Sequence, residues 1–361
     1  MPSLDDDSTA NPATRNSLHV NEKEFKEIIQ GKQRSLVATL IRGLLYCFQP
    51  VYWLGWQWDQ WRQLRNQARV KAPVVSIGNI TTGGTGKTPM VHFICQWFLD
   101  RKKTPVILSR GYSHAADSNA PNDEWQELRL RLPGVVHLQN RNRVAIARAA
   151  VEEHEPDVLV LDDGFQHRRL ARDVDVVLID VTNPFGHGHL LPRGLLREPL
   201  RQLSLADTLI LTRCEQVNES ELKRIESELR LFNAEAPIFR SKFEPSGLVD
   251  LKSGKLPLDF LRGKSVFAFA GIGNPENFFE SLRQMDLLLS TTKSFPDHHE
   301  YSSDDFSGES LEPAALSADV WICTLKDLVK VKELKSLKRP IVALEIEMKI
   351  EGDWDALFNF N

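Results

Sequence analysis

The chain has 361 residues, a formal net charge of −4 and four widely separated cysteines. This length suffices for two domains, and 42% hydrophobic with 26% charged residues is typical of a globular protein. The charge balance does not indicate nucleic-acid binding. The cysteine spacing excludes a disulfide framework and a cysteine-based zinc site. No uncharged apolar run reaches the roughly 20 residues of a spanning helix, and the acidic N-terminus is unlike a signal peptide, so we expect a cytoplasmic protein.

The N-terminal part of the chain falls into two segments. Residues 1–34 are rich in Asp, Asn, Ser and Pro, which predicts a poorly ordered extension with a short helix over Glu22–Gln30. Residues 35–71 contain four of the eight tryptophans and are flanked by arginines. This composition is typical of an amphipathic helical segment in the headgroup layer of a membrane. A pair of apolar helices docked on the protein's own core fits equally well, and the residues alone leave both interpretations open.

From Val74 onward, short runs of Val, Ile and Leu alternate with helical patterns. Continuous apolar strands between helices are typical of a parallel sheet covered on both faces. We predict an α/β fold: a P-loop NTPase domain at 72–245 with a doubly wound, mostly parallel sheet, then a linker at 246–261. The alternation restarts after it and predicts a second, smaller α/β domain at 262–361.

A glycine-rich segment, NITTGGTGKT at 79–88, lies between the first strand and the next helix. This is the context of a P-loop, in which backbone N–H groups and a helix N-terminus surround phosphate oxygens. The loop is a variant, because Thr81 stands where the strict pattern has glycine. We predict a bound nucleoside triphosphate, with Lys87 on its β- and γ-phosphates and the Thr88 hydroxyl on Mg²⁺. The predicted nucleotide-binding residues are Thr82, Gly83, Gly84, Thr85, Gly86, Lys87 and Thr88.

Two adjacent acids, Asp162 and Asp163, end the apolar run VLVLDDG. A carboxylate at the end of a strand beside a P-loop is typical of a Mg²⁺ ligand, bound directly or through water. We therefore predict a metal site of Thr88, Asp162 and Asp163, and leave open which acid touches the ion. Asp180 ends a similar run, and we expect a structural role for it.

The phosphate loop alone leaves the reaction open. A membrane-associated switch ATPase of the ParA/MinD type is one alternative, although Thr82 occupies the position of that group's signature lysine. A GTPase is another, although TLKD at 324–327 is a poor base-reading motif and no switch regions accompany it.

Beyond the loop, the chain carries ILSRGY, NDE, LDDGFQHRRLARDVDVVLID, GHLLPRGLLREP and FPDHHEY, in this order. With SIGNITTGGTGKTP, this series resembles the tetraacyldisaccharide 4′-kinases, the lipid A 4′-kinases of Gram-negative outer-membrane synthesis, over roughly residues 36–345. The resemblance implies transfer of the γ-phosphate of ATP, with Mg²⁺, to the 4′-hydroxyl of a lipid A disaccharide precursor. It also implies a peripheral protein on the cytoplasmic face of the inner membrane, which favours membrane contact for residues 35–71. We infer no protein partner.

The resemblance also implies a catalytic pair. Asp123, in the NDE motif, would take the proton of the acceptor hydroxyl. A histidine of FPDHHEY would orient this acid, and we choose His298 over His299. Since the two residues lie in different predicted domains, they would meet across a cleft that closes on ATP and acceptor. A kinase for another amphiphilic sugar would need the same features. Only substrate assays separate it from a lipid A 4′-kinase.

Arginines near the same cleft are further candidates. Arg197, in LREP, would neutralise charge on the γ-phosphoryl oxygens or hold the acceptor's 1-phosphate, unless it pins the loop through a salt bridge. With Asp123, His298 and Lys87 it completes the predicted catalytic set. Arg110 and Tyr112 end the second strand, where open parallel sheets bind ligands. The predicted substrate-binding residues are Arg110, Tyr112, Arg143 and Glu198.

Overall fold

A computed structural model describes residues 22–111, 123–250, 253–297, 299–331 and 339–358. The helices in these ranges are α1 (Glu22–Ile29), α2 (Leu36–Arg65), α3 (Lys87–Asp100), α4 (Asp123–Arg131), α5 (Arg143–His154), α6 (Glu219–Arg230), α7 (Pro275–Arg283), α8 (Pro313–Ser317) and α9 (Leu325–Val331). The strands are β1 (Val74–Asn79), β2 (Pro105–Ser109), β3 (Val136–Gln139), β4 (Val158–Asp162), β5 (Val174–Asp180), β6 (Thr208–Thr212), β7 (Ile238–Asp250), β8 (Gly254–Leu256), β9 (Ser265–Ala270), β10 (Leu288–Ser294), β11 (Val320–Thr324) and β12 (Ile341–Glu351).

The first part of the sheet is parallel, in the order β3-β2-β4-β1-β5-β6-β7. Every residue of β1, β2, β4 and β6 is buried, because helices cover both faces. Val75 and Ile77 of β1 pack with residues of α3, whereas Val74 packs with residues of α5 on the opposite face. Because β1 and β4 pair in parallel, their carboxyl ends lie side by side.

The second part of the sheet joins the first through one antiparallel pair. Strands β10, β9, β11 and β12 are parallel, and β12 runs antiparallel to β7. The sheet is thus continuous over twelve strands among the described residues. The predicted mixed α/β fold with a mostly parallel sheet is confirmed. Segment 246–261, predicted as a linker, contains the end of β7 and all of β8, so strands connect the two parts; the domain boundaries stay a prediction.

Helix α2 forms one continuous element of 30 residues with Pro50 inside it. A proline inside a helix usually bends or breaks it. A proline leaves the carbonyl four residues earlier without its helical partner, here that of Tyr46, a residue that is 59% exposed. Water can therefore satisfy this carbonyl, and the helix continues. None of the helices within the described ranges combines the length and hydropathy needed to cross a bilayer.

The end of the chain returns to the first part of the molecule. Trp354 and Phe358 are buried against α3, and the Trp354 ring stacks on Phe239 at a centroid distance of 4.6 Å. Helix α4 packs on α9, and Arg131 Nη1 donates to the carbonyl oxygen of Ile346 over 3.0 Å. These contacts, in addition to the shared sheet, hold the C-terminal part against the predicted P-loop domain.

Candidate active site

The phosphate loop lies between β1 and α3, and residues at the carboxyl end of β6 hydrogen-bond to its backbone. Thr212 Oγ1 donates to the carbonyl oxygen of Thr85 over 3.1 Å, and Arg213 Nη2 donates to that of Gly84 over 2.6 Å. Gly86 has a φ of +92°, and a Cβ there would lie 2.6 Å from Cζ of Phe243, so the position requires glycine. The Arg213 guanidinium also pairs with Asp180, which gives that acid the structural role we expected.

Asn79 is fully buried at the end of β1 and contacts Lys87, Arg197 and Gln166. Its Oδ1 accepts from Lys87 Nζ over 3.4 Å and from Arg197 Nη1 over 3.3 Å, and its Nδ2 donates to the carbonyl oxygen of Thr81 over 2.7 Å. Its own carbonyl accepts from Gln166 Nε2 over 2.7 Å. Sequence reasoning assigned no function to Asn79; the one available signal was a polar side chain at the end of an apolar strand, next to the glycine-rich loop.

Asp163 lies between two cations. Arg197 holds its carboxylate with both terminal nitrogens, at 2.9 and 3.0 Å, and Lys87 Nζ lies 3.6 Å from Oδ1. Burial would raise the pKa of this carboxyl, but Lys87 and Arg197 outweigh it and lower the pKa to about 2. Asp163 has a φ of +50°, a conformation that non-glycine residues adopt mainly where surrounding contacts enforce it. The carboxylate is therefore held ionised and in one orientation.

The loop 186–198 brings Arg197 to this point by pairing with the phosphate loop. The N–H of Thr82 donates to the carbonyl oxygen of Leu195 over 2.8 Å, and the N–H of Arg197 donates to that of Ile80 over 2.7 Å. Thr82, predicted to bind nucleotide, thus directs its N–H to this loop. Arg197 and Lys87 come together although they are more than one hundred positions apart in the sequence.

Two predicted acceptor-binding residues are buried behind these groups. Arg143 is 5% exposed, and its Nη2 donates to the carbonyl oxygens of Asp162 and Asp163 over 3.3 and 3.4 Å. Glu198 has no exposed surface, and its carboxylate contacts Gln166 and, over 3.2 Å, Arg168. Burial raises the pKa of Glu198 to about 7, although Arg168 opposes the shift. The structure therefore surrounds Glu198 with protein groups, and an acceptor contact for it stays a prediction.

The donor set beside the phosphate loop fits a magnesium ion. Thr88 is in the first turn of α3, and Asp162 ends β4, which pairs with β1. A hydroxyl and two carboxylates are hard oxygen ligands of the kind that Mg²⁺ prefers, with phosphate oxygens completing its coordination. No group of three or more His, Cys, Asp or Glu residues in the described ranges could hold a metal ion by itself.

Comparisons with known proteins extend over most of the chain. A family model described as tetraacyldisaccharide-1-P 4′-kinase matches residues 41–360. The chain belongs to this family. A tetraacyldisaccharide 4′-kinase of Syntrophus aciditrophicus is 36% identical over 80% of this chain and 83% of its own length. That of Anaeromyxobacter dehalogenans is 39% identical over 81% of this chain and 78% of its own length.

A solved structure agrees with this membership. The crystal structure described as the "apo" form of LpxK from Aquifex aeolicus in complex with ATP has 29% sequence identity and a TM-score of 0.68. The match covers 86% of this chain and 95% of that one. The predicted P-loop fold, family and enzyme class are confirmed: the chain is a kinase of lipid A biosynthesis.

Four predicted residues of this tetraacyldisaccharide 4′-kinase family member lie at the edge of what the structure describes. Tyr112 and His298 fall outside the described residues. Asp123 is the first residue of α4, and only its backbone is described. Arg110 directly follows β2 and has an exposed side chain. The roles of all four stay predictions.

His299, the alternative to His298, is held within the C-terminal part of the kinase. Its Nε2 lies 3.1 Å from Oδ2 of Asp305, and its ring stacks on Phe295 at a centroid distance of 4.8 Å. The loop ends at Tyr301, whose hydroxyl donates to Oδ1 of Asp327 over 2.8 Å. Oδ1 of Asp327 also accepts from the N–H of Gly271 over 3.0 Å. The residues after position 298 in the FPDHHEY loop are thus anchored in the C-terminal part.

Proposed function

We propose that this kinase transfers the γ-phosphate of ATP to the 4′-hydroxyl of a tetraacyldisaccharide 1-phosphate. One observation carries the proposal: Lys87, Arg197 and the ionised Asp163 meet at the carboxyl end of β1, directly beside the phosphate loop. Phosphoryl transfer depends mainly on positioned charge, and this arrangement supplies two cations and one carboxylate in fixed orientations.

The residues around the loop would bind the nucleotide end. Backbone N–H groups of residues 83–86 and the Lys87 ammonium would hold the phosphates, while Thr88, Asp162 and Asp163 would hold Mg²⁺. When bound, the cation supplies further charge neutralisation on the phosphate oxygens. Arg197 would contact the γ-phosphoryl group as negative charge spreads over its oxygens, and the buried Arg143 would hold the peptides of the two acids in place.

The acceptor would enter from the side of α4. We propose that Asp123 takes the proton of the 4′-hydroxyl as the new O–P bond forms and the bond to the leaving ADP breaks, with His298 orienting this acid. The engagement of His299 by Asp305 supports His298 as the residue available to Asp123. Arg110 and Tyr112 would contact the acceptor or its phosphate, because both follow the carboxyl end of β2.

Transfer of labelled phosphate tests the proposal. We would supply ATP with labelled γ-phosphate, Mg²⁺ and a tetraacyldisaccharide 1-phosphate in detergent micelles, and compare wild type with Asp123→Ala, His298→Ala and His299→Asn. We expect labelled lipid from wild type, a loss of about 100-fold or more in the first two variants and at most a small change in the third, because general bases contribute about 10²–10⁴-fold.

ATP hydrolysis without lipid product, unchanged in Asp123→Ala, would contradict the kinase and favour a switch ATPase. Equal losses in His298→Ala and His299→Asn, with unchanged melting temperatures, would contradict our choice between the two histidines.

We further propose that α2 lies on the cytoplasmic face of the inner membrane and holds the kinase there as a peripheral protein. Its outer side presents large apolar side chains to solvent, with Leu40 72%, Leu44 60%, Val51 65% and Trp58 66% exposed. Exposed basic residues lie at both ends, among them Arg34 and Arg65. Apolar area next to arginines suits an interface with anionic lipid.

Co-sedimentation with vesicles of phosphatidylethanolamine and phosphatidylglycerol tests the membrane proposal. The double variant Leu40→Asp with Leu44→Asp should bind markedly less than wild type. Leu231→Asp is the matched control, because Leu231 is 81% exposed but follows α6. Equal binding of all three proteins would contradict the proposed role of α2.

A further inference from the structure

Helix α2 carries a row of polar side chains on the side that faces the protein. Gln49, Tyr52, Gln60 and Gln63 are three, eight and three residues apart, which places them on one face of an α-helix. Gln60 is buried and the other three are half-buried. The helix therefore presents apolar groups outward and hydrogen-bonding groups inward.

Two of these side chains bond to the backbone of the loop 186–198. Tyr52 Oη donates to the carbonyl oxygen of Arg197 over 2.7 Å, and Gln49 Nε2 donates to that of Leu190 over 2.9 Å. The N–H of Arg197 is held by Ile80, as described above. The backbone of Arg197 is thus fixed on both sides of its Cα, and this fixes the point from which its guanidinium reaches Asp163.

The other polar groups bond to the loop that follows Asp163. Gln60 Nε2 donates to the carbonyl oxygen of Gln166 over 3.2 Å. Gln63 Oε1 accepts from the N–H of Arg168 over 2.8 Å, and Gln67, just beyond α2, donates to the carbonyl oxygen of Arg168 over 2.9 Å. Side-chain amides of α2 and of Gln67 therefore bond directly to the backbone of this loop.

Buried contacts beneath α2 join the two loops to each other. The Glu198 carboxylate contacts Gln166 and Arg168, so the residue after Arg197 is bound to the loop after Asp163. Because Arg197 also holds Asp163 through both terminal nitrogens, the two loops and the inner face of α2 form one connected polar network.

We propose that α2 is a positioning element for phosphoryl transfer and that Tyr52 is a positioning residue, which sets the place of Arg197 through its carbonyl. The inference rests on the proposed function, since it requires Arg197 to act on the transferred phosphoryl group. It adds that the helix with the exposed apolar face also holds both loops of the reaction centre. A displaced Arg197 loses stabilisation of the transition state, so kcat falls while the KM for ATP changes little.

Tyr52→Phe tests the inference, because it keeps the ring and removes the hydroxyl. The matched control is Tyr46→Phe on the same helix: the Tyr46 hydroxyl makes no hydrogen bond within the described part of the chain, and its ring meets His189 edge-on. In the micelle assay we expect Tyr52→Phe to lower kcat about three- to tenfold, the range that one hydrogen bond supports, with the KM for ATP within about twofold of wild type. Tyr46→Phe should match wild type.

Hydrogen exchange gives a second measurement that does not depend on turnover. Amides of residues 195–198 and 164–169 should exchange faster in Tyr52→Phe than in wild type, and at the wild-type rate in Tyr46→Phe. An unchanged kcat, unchanged exchange at these loops, or the same loss in both variants would overturn the inference. If the wild type makes no labelled lipid, the proposed function fails, and the exchange rates alone then decide whether Tyr52 positions Arg197.

Discussion

The contact between Arg197 and Asp163 depends on the planar shape of the arginine side chain. Its planar guanidinium matches both carboxylate oxygens at 2.9 and 3.0 Å, and it also reaches Asn79. A lysine has the same charge but presents a single nitrogen that cannot make this paired contact. The geometry of Arg197, rather than its charge alone, therefore orders the site.

We accordingly expect Arg197→Lys to lower kcat about 100-fold, the cost of one preorganised donor in the transition state, with a small change in melting temperature. Steady-state kinetics on the lipid acceptor would measure this. Arg201→Lys is the control, since Arg201 is exposed and lies just beyond the loop. An Arg197→Lys enzyme with wild-type kcat would show that charge alone suffices.

At the scale of elements, the strands that carry the site were predictable and the connecting strand β7 was not. Strands β1, β4 and β6 are short segments dominated by Val, Ile and Leu, so their sequence alone indicates burial on both faces. Strand β7 reads IFRSKFEPSGLVD, with Pro245 and Gly247 inside it. Both residues weaken a strand pattern, and β7 forms because β12 pairs with it from Arg240 to Asp250, with an irregularity opposite these positions. The partner is nearly one hundred residues away, so no local pattern reveals it.

The same limit applies to the site. Motifs identified Lys87, Asp163 and Arg197, whereas the roles of Asn79 and Tyr52 arise only when the loop 186–198 folds back on β1 and α2. A polar residue of this kind has no distinguishing spacing, because its partners are backbone groups and side chains brought together by the tertiary fold.

The first turn of α9 contains Asp327, whose hydrogen bonds make a contribution to stability that can be measured. Asp327 is fully buried, and its carboxylate accepts from the N–H of Gly271, the hydroxyl of Tyr301 and, over 2.6 Å, the hydroxyl of Thr324. Asp327→Ala would leave a buried N–H and two half-buried hydroxyls without their acceptor, so we expect a loss of about 3 kcal/mol in the free energy of unfolding. Tyr301→Phe removes one donor and should cost about 1 kcal/mol. Urea unfolding would measure both, and equal losses would contradict Asp327 as the centre of the network.

For the whole molecule, the half-buried histidines His92 and His137 predict how the free energy of unfolding changes with pH. Burial, reinforced by Arg131, lowers the pKa of His92 to about 4, and burial lowers that of His137 to about 4. In the unfolded chain both would take up a proton near pH 6.5. Between pH 6.5 and about 4 the unfolded state therefore binds more protons than the folded state, and the free energy of unfolding falls as the pH falls.

Each histidine should contribute up to about 1.4 kcal/mol per pH unit over this range. His92→Gln removes one group of this kind, so its free energy of unfolding should decline less steeply than that of wild type from pH 6.5 to 4.5. His154→Gln, at an exposed position at the end of α5, is the control and should retain the wild-type slope. Urea titrations at intervals of half a pH unit would give the three slopes. The same slope for His92→Gln and wild type would mean that His92 takes up its proton equally in the folded and unfolded states, so that the packing of α3 between the two parts of the sheet does not keep its imidazole neutral.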